Sequence, residues 1–406
     1  MKKSITAKQA AFLLPLLLLL AVFAIYPIIT SVVYSLFDYR TNDQTAAGLY
    51  TGSNFNAPLF YEDCDYVTWY LEDEVTVLPE ADAAEMQGIM DEVNALAAPY
   101  KDAKEVVQMS NADAQTILDK VADIRARMTA IFERNPDVAF YNGLDTQNIL
   151  FDEINGCVIS SNFQGLAAYR QLLSDSRFGK SLGSTLLFTV VSVFFELVLG
   201  MALALIMNKA IKGIGIVRTT ALIPWAIPTA VSALMWSYMY DGSSGIVAKL
   251  FADIGLIAAP EQMLLSAGGA MTAAILADVW KTTPYMALLL LAGLQIIDSG
   301  LYESAMVDGA TPVRTFFSVT LPLLKPSMLV ALLFRTLDAF RVYDLIAVLT
   351  GGAQGTETLS IYAYKLMIGQ SNYGYGSAVV LAMAVCVAII AFIFVKVLGA
   401  ELINDD

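Results

Sequence analysis

Long apolar stretches alternate with short polar ones along most of this chain. A helix needs roughly 20 mostly apolar residues to cross the hydrocarbon core of a bilayer. Segments that meet this requirement occur at six places, so the pattern predicts an all-α polytopic membrane protein with six spans. They are Ala10–Phe37, Ser181–Asn208, Thr219–Tyr240, Gln262–Ile297, Pro326–Leu349 and Tyr373–Val395.

The region between the first two apolar segments has a different pattern. In residues 79–98 and 111–132 apolar positions recur three and four apart, which predicts amphipathic helices, and Asn111 is a plausible N-cap. This region is therefore interpreted as a mainly helical insert between spans one and two. The predicted domains are 1–40 with the first span, 41–161 as the insert, and 162–406 as a five-helix core.

Composition and charge separate the same two parts. Hydrophobic residues make up 57% of the chain and charged residues only 15%, which is typical of a membrane protein. Residues 37–178 contain 24 acidic and 9 basic side chains, whereas the rest of the chain is nearly neutral, so the net charge of −14 belongs to the insert. The acidic clusters lack the alternating ligands and the glycine of a calcium loop, and we predict no metal site.

Two residue types limit the chemistry further. The chain contains no histidine, which excludes histidine-based catalysis, proton relays and metal sites. Of the three cysteines, Cys64 and Cys157 bracket most of the insert, and the sequence is compatible with either a disulfide or two free thiols.

The placement of lysine and arginine predicts the orientation, because loops rich in these residues stay on the cytoplasmic side. With the N-terminus inside, only Lys249 and Lys365 fall on the two short outer loops. The bases at predicted cytoplasmic positions are Lys2, Lys3, Lys8, Lys209, Lys212, Arg218, Arg314, Lys325 and Lys396. We therefore expect both termini and the 298–326 loop in the cytoplasm, and the insert outside.

The 298–326 loop carries the signals of two short helices. The first helix runs from about Gly300 to Asp308 and is stopped by Gly309, since glycine readily adopts the left-handed conformation that terminates helices. The second is capped by Thr311 and is expected to end near Leu321–Pro322. The loop is either a rigid helix–turn–helix on the cytoplasmic face or an amphipathic connector that rests at the membrane interface.

The same loop resembles the EAA loop of permease subunits of bacterial ABC importers. Glu303-Ser304-Ala305, Gly309 and Val319-Thr320-Leu321-Pro322 keep the spacing of that pattern, with Ser at its second position and Val in place of Ile. Segments such as "LIPWAIPTAVSALMW" and "DVWKTTPYMALLLLAGLQII" are similar to the MalF-like, maltose- and trehalose-type sugar permeases. The resemblance covers residues 1–40 and about 162–399, and Gln354 departs from it where relatives usually have proline.

The resemblance implies that the loop couples the chain to a cytoplasmic ATPase dimer. The implied coupling residues are Glu303, Ser304, Ala305, Asp308, Gly309, Leu321 and Pro322. It also implies a second permease subunit, an extracytoplasmic sugar-binding protein and the bacterial cytoplasmic (inner) membrane. The chain has no G-x-x-x-x-G-K-[ST] loop, so ATP and Mg²⁺ are expected to bind to the partner ATPase. For this chain itself we expect no cofactor, no catalytic residue and no nucleic-acid partner.

Ionisable side chains inside the predicted spans are candidates for the substrate pathway, because they are costly in a bilayer and usually face a cavity or a partner. Glu196 is alone in the second span, and Asp278 and Lys281 form an i,i+3 pair in the fourth. The fifth span carries charges of alternating sign. These are Arg335, Asp338, Arg341 and Asp344.

Two interpretations of these charges stay open. In the first, the charged side chains line a polar cavity and hydrogen-bond sugar hydroxyls. In the second, they form ion pairs that stabilise the contact with the second permease, and this second interpretation is favoured for Asp278 and Lys281. Trp236 is a further candidate stacking surface, and the prolines of "IPWAIP" disturb the third span either as a hinge or as a packing kink. The predicted pathway residues are Tyr285, Asp338, Arg341, Tyr343 and Asp344.

The predicted function is translocation of a disaccharide or oligosaccharide delivered by a binding protein. An importer of glycerol phosphate is the nearest alternative, with Arg335 and Arg341 as anion ligands. A membrane enzyme that uses Asp338 and Asp344 as an acid–base pair, or a passive channel, fits the coupling-loop pattern poorly.

Overall fold

A computed structural model describes residues 7–209, 213–397 and 399. The predicted bases Lys2, Lys3 and Lys212, the Lys8 side chain and both chain termini lie outside the described residues. The chain divides into two compact units. The first, here the membrane unit, contains the residues up to Val32, Ala168–Gln370 and those from Gly376; the second, here the insert unit, contains Val33–Ala167 and Ser371–Tyr375.

Among the described residues, five helices are long and apolar enough to cross a membrane, and a bent helix pair makes a sixth candidate. In chain order we name them the first to sixth spans. They are Leu13–Ser35, Ser176–Met207, the pair Ile214–Ala226 and Thr229–Met239, Ala267–Leu294, Pro312–Phe340 and Tyr373–Lys396.

Shorter helices connect these spans. They are Ala167–Ser174, Ile246–Asp253, Gln262–Leu265, Ser299–Val307, Asp344–Leu349 and Leu359–Tyr364. Within the described ranges, π-helical turns interrupt or extend four of the helices. They are Ala21–Ile25, Phe316–Thr320, Lys365–Gly369 and Ile393–Val397.

The third span is broken where the sequence places Pro224 and Pro228. Its two halves meet at 88°. Ile227 is extended (φ −71°, ψ 133°), because a residue before proline is pushed out of the helical region. Pro228 also lacks the N–H that would continue the helix, so the predicted disturbance is a complete break rather than a gentle kink.

The second and fourth spans pack closely at Gly200. A Cβ there would lie 2.8 Å from Cγ of Met286 and 3.2 Å from the backbone nitrogen of Ala287. On the fourth span, Ala273 and Ala274 are fully buried in the same core as Met286 and Ala287. Small residues allow helix backbones to approach where lipid supplies no hydrophobic driving force. This contact places the polar residues of both spans next to one another.

The insert unit is mostly helical, as predicted. Its helices are α1 (Ala57–Val75), α2 (Glu80–Ala97), α3 (Asn111–Arg134) and α4 (Gly143–Gly156), with α3 capped by Ser110 rather than by Asn111. The strands β1 (Asn54–Phe55), β2 (Val107–Gln108) and β3 (Val158–Ile159) form a small antiparallel sheet in the order β2-β1-β3. The unit has its own hydrophobic core, built around Phe55, Phe60 and Met128.

Two buried carboxylates organise the insert core. Glu74 accepts hydrogen bonds from the backbone N–H groups of Tyr141, Asn142 and Gly143, at the start of α4, where a negative charge is favoured. Asp63 accepts a bond of 3.7 Å from the Cys157 thiol, and burial raises the pKa of Asp63 to about 6. Burial likewise raises the pKa of Cys64 to about 12.

Cys64 and Cys157 are both buried and free, so the disulfide left open by the sequence is not formed.

The chain enters and leaves the insert unit side by side. Asn162 donates to the carbonyls of Asp38 (2.9 Å) and Gly48 (2.8 Å) and accepts from the N–H of Tyr50. The insert boundaries at 41 and 161 stay predictions.

Candidate functional site

A single buried guanidinium connects three spans of the membrane unit. Arg335, on the fifth span, is 1% exposed and bonds both carboxylate oxygens of Glu196 on the second span, at 2.5 and 2.9 Å. It also pairs with Asp278 on the fourth span and, at 2.9 Å, with Asp338 one turn further along its own helix. Arginine suits this role because its planar fork presents several donors at once.

This network corrects two expectations about pairing. Glu196, the lone charge of the predicted second span, finds its partners on other spans: besides Arg335, it accepts a bond of 2.7 Å from the Thr282 hydroxyl on the fourth. Asp278 does not pair with Lys281 but with Arg335. Sequence spacing favoured the i,i+3 partner on the same helix, whereas the close approach of the second, fourth and fifth spans brings Arg335 within reach instead.

Lys281 bonds the broken third span rather than a carboxylate. Its ammonium donates to the backbone carbonyls of Ile227 at 2.6 Å and Trp225 at 3.2 Å. Both carbonyls lie at the break, where the helix cannot supply the N–H groups that would otherwise bond them. Sequence reasoning missed this contact, although the two prolines and a lysine in the facing span were the signal for it.

A cavity of about 500 Å³ opens beside these groups. Residues of the third, fourth and fifth spans line it, together with the segment that follows the fifth span. Four of the five predicted pathway residues are in its lining: Asp338, Arg341, Tyr343 and Asp344. Tyr285 is not in the lining, and its ring stacks on Trp225, with centroids 5.6 Å apart and planes 12° from parallel.

Trp236 also lies elsewhere in the membrane unit. Its ring packs on Tyr240, at 5.1 Å between centroids, and edge-on against Trp280 at 5.6 Å. It contributes to the core instead of to the cavity wall.

The alternating charges predicted for one continuous helix are divided by a helix end. The fifth span stops at Phe340 instead of continuing to Leu349, and a new short helix begins at Asp344. Arg341 is exposed, and its Nε donates to the carbonyl of Leu337 at 3.0 Å, which caps the end of the helix. Asp338 therefore pairs with Arg335 rather than with Arg341.

The 298–326 loop has the predicted turn. Its first helix, Ser299–Val307, is followed by Gly309 with φ +73°. The N–H of Gly309 bonds Met306 O, and the N–H of Ala310 bonds Ala305 O at 2.9 Å, which is the Schellman pattern of a left-handed helix stop.

The second helix of the loop does not end near Leu321–Pro322. Thr311 caps it, as expected, but it continues as the fifth span to Phe340. The π-helical turn Phe316–Thr320 widens the helix immediately before Pro322, and the N–H of Leu321 bonds Phe316 O. The helix thereby passes a residue that lacks an N–H.

The predicted coupling residues are largely accessible. Glu303, Ser304, Asp308, Gly309 and Pro322 are exposed, whereas Ala305 and Leu321 are half-buried. Large apolar side chains are exposed beside them. These are Leu301, Met306, Val307, Val313 and Phe317. A rigid helical turn that presents apolar and polar groups together is typical of a protein-contact surface.

The sequence matches known transport proteins. The family model described as "Binding-protein-dependent transport system inner membrane component" matches residues 196–402. The trehalose transport system permease protein SugA of Mycobacterium tuberculosis (strain ATCC 25618 / H37Rv) is 45% identical over 59% of this chain and 76% of its own length. The trehalose/maltose permease protein MalF of Thermococcus litoralis is 45% identical over 58% of this chain and 79% of its own. The sn-glycerol-3-phosphate permease protein UgpA of Agrobacterium fabrum is 33% identical over 58% and 81%.

Solved structures agree in fold. A chain of a bacterial alginate ABC transporter in complex with an alginate pentasaccharide-bound periplasmic protein matches with a TM-score of 0.52 and 26% identity, over 57% of this chain and 81% of the other. A second alginate transporter chain, at 24% identity and TM-score 0.53, supports the fold alone. The chain belongs to the family of binding-protein-dependent transport system inner membrane components, and it is a permease subunit of an ABC transporter rather than an enzyme.

Proposed function

We propose that this permease translocates a neutral sugar of disaccharide or oligosaccharide size through the cavity beside Arg335. The names of its relatives support a sugar: those called trehalose and trehalose/maltose permeases are 45% identical, whereas the glycerol-3-phosphate permease is 33% identical. Asp338, Arg341, Tyr343 and Asp344 are the proposed pathway residues.

The observation that carries this proposal is the engagement of Arg335. Its guanidinium is 1% exposed and already bonded to Glu196, Asp278 and Asp338, so a phosphate would have to displace carboxylates to reach it. The cavity lining instead offers the carboxylates of Asp338 and Asp344, which accept hydrogen bonds from hydroxyls and repel anions. Arg341 alone is a weak substitute for the arginine clusters that bind phosphate groups.

Tyr343 adds an apolar surface to this cavity. Its ring lies 5.1 Å from that of Tyr364, between ring centroids, which limits its rotation. An aromatic ring that is held in place offers a sugar both an apolar face and a hydroxyl at low entropic cost.

Uptake by a strain that lacks this chain tests the proposal. Complementation with the wild-type gene is expected to restore accumulation of labelled trehalose or maltose, but not of sn-glycerol 3-phosphate. Complementation with Asp338→Ala is expected to cut sugar uptake while the ATPase subunit still copurifies. Uptake of glycerol phosphate without sugar uptake would favour the alternative substrate.

We also propose the partners and the orientation of the chain. A second permease, a cytoplasmic ATPase dimer that binds ATP and Mg²⁺, and an extracytoplasmic sugar-binding protein complete the importer. The distribution of lysine and arginine supports cytoplasmic termini and a cytoplasmic 298–326 loop. The exposed residues around Glu303 and Gly309 then contact the ATPase, and a movement of the rigid helical turn is transmitted directly into the fifth span, with which it is continuous.

The insert is the proposed docking surface for the binding protein. Its four helices enclose a separate core, and its acidic surface lies on the side from which the sugar arrives in the proposed orientation. Such a charge excess accelerates encounter with a partner of complementary charge and loses its effect as salt screens it.

A further inference from the structure

The break in the third span leaves backbone carbonyls that the helix cannot satisfy. In a continuous helix, the carbonyl of Trp225 would bond the N–H of Thr229, and that of Ile227 would bond the N–H of Val231. The extended Ile227 and the 88° bend remove these partners. A membrane-spanning segment tolerates such a break only where neighbouring groups bond the freed carbonyls.

Lys281 supplies the missing donors from the facing span. Its side chain is buried on the fourth span, and its ammonium bonds both carbonyls. One turn further along the same helix, Tyr285 stacks on the ring of Trp225. The fourth span therefore holds the broken segment at its backbone and at a side chain.

The residues of the break form one wall of the cavity. Trp225, Ile227 and Pro228 line it together with Lys281, and Asp338 and the segment after the fifth span also contribute to the lining. An ammonium has three N–H donors, and the two carbonyls account for two of them. The third N–H donor is available to a sugar hydroxyl within the cavity.

We infer that Lys281 is a positioning residue for transport: it fixes the break of the third span and thereby the shape of the cavity wall that the sugar passes. This inference rests on the proposed function insofar as the cavity is the sugar pathway. It assigns Lys281 a role that the expected pairing with Asp278 would not give it. Without the ammonium, the carbonyls of Trp225 and Ile227 lose the donor that fixes the break, and the two halves of the third span sample a range of angles.

Spin-label distances across the break test the inference without any substrate. In the assembled importer, the three cysteines of this chain and all cysteines of the other subunits are replaced by alanine. Labels at Val217 and Tyr238, both exposed, then report the angle between the halves of the third span. A control pair at Leu187 and Ile206 lies within the straight second span, about 28 Å apart along the helix axis.

Lys281→Met keeps most of the length of the side chain but removes its donors. We expect the Val217–Tyr238 distance distribution to shift or to broaden at least twofold, while the control pair is unchanged. We expect sugar uptake per assembled complex to fall at least tenfold. Lys281→Arg, which retains a charged donor, should recover the narrow distribution and bring uptake to within about threefold of wild type. Lys249→Met, which removes an exposed lysine outside the cavity lining, should change neither readout.

An unchanged distance distribution in Lys281→Met overturns the inference, and so does uptake that is retained despite a broadened distribution. If the methionine variant fails to assemble, Lys281→Gln, which keeps two N–H donors without the charge, is compared with Lys281→Arg in the same two measurements. Equally broad Val217–Tyr238 distance distributions in Lys281→Gln and Lys281→Arg would also overturn the inference. Wild-type protein with a narrow distribution but no sugar uptake would instead contradict the proposed function and leave the positional role intact.

Discussion

Replacing Arg335 with methionine tests how far the buried network holds the membrane unit together. Among the described residues, Arg335 is the one cation bonded to Glu196, which is fully buried, and to Asp278, which is nearly so, and the substitution removes it. Glu196 would keep the Thr282 hydroxyl as a partner, and Asp278 would keep no cation among the described residues. Breaking a buried ion pair by removing one partner costs about 3–5 kcal/mol, because it leaves an uncompensated buried charge.

We therefore expect Arg335→Met to lower the ratio of folded to unfolded permease by about two to three and a half orders of magnitude, since 1.4 kcal/mol corresponds to roughly a factor of ten. Neutralising both acids in the same chain, as Arg335→Met/Glu196→Gln/Asp278→Asn, should recover most of the loss. Arg341→Met is the matched control: this arginine is exposed and bonds one carbonyl, so its removal should cost less than about 1 kcal/mol.

Equilibrium unfolding of the purified permease complex in mixed detergent micelles measures these differences. The four proteins are compared under one condition, with circular dichroism and retention of the second permease as separate readouts. The reasoning is refuted if Arg335→Met unfolds like wild type. It is also refuted if the triple variant is no more stable than the single one, because the loss would then not arise from unpaired carboxylates.

Three further predictions concern the loop and the insert. Gly309→Ala places a Cβ on a residue in the left-handed conformation, which costs about 1–2 kcal/mol, so this variant should transport less sugar and bind the ATPase less well. The control is Gly179→Ala, where the added Cβ also meets open space but the backbone is helical, and this variant should leave transport and ATPase binding unchanged. Burial raises the pKa of Asp63 to about 6, so the folded insert prefers the protonated acid. The contribution of Asp63 to stability is therefore complete below about pH 4 and is lost as the pH rises through 6. Asp63→Asn should remove this fall, measured as hydrogen exchange of α1 in the full complex at pH 5 and pH 7.5 after correction for intrinsic rates; an identical pH response in both proteins would contradict the assignment. Deletion of 45–158 removes the insert between ends that lie near the hydrogen bonds of Asn162. The two permeases should stay paired, and capture of the binding protein should weaken most at low salt. Loss of pairing would indicate instead that the insert stabilises the contact with the second permease.

Local signals in the sequence predicted much of this fold. The length of the apolar segments identified the spans, and the Gly309 and Thr311 signals located the loop turn, because helix ends are encoded by neighbouring residues. The path of the chain past Pro322 was not predictable in this way. A π-helical turn five residues long lets the helix continue where proline normally ends it, and the residue types of "FFSVT" do not predict such a turn.

The candidate site was predictable in its members but not in its connections. Charged residues inside spans identified Asp338, Arg341 and Asp344 as pathway candidates. Their partners depend on which spans pack together, and sequence spacing cannot supply that information. The contact of Arg335 with Glu196 joins residues 139 positions apart, and Lys281 bonds carbonyls that belong to no side-chain motif.

The claim that sugar occupies the cavity can be measured directly as protection of a thiol there. Asp344→Cys, in a complex whose native cysteines are replaced by alanine, places a reactive group in the cavity lining. The rate of its alkylation is measured with the binding protein and ATP present, with trehalose or maltose and with sn-glycerol 3-phosphate. Leu187→Cys, exposed on the second span, is the control outside the cavity. Our account predicts that the sugar, but not glycerol phosphate, slows alkylation of the cavity thiol while the control thiol reacts at a constant rate. Equal rates at the cavity thiol with and without sugar would contradict it.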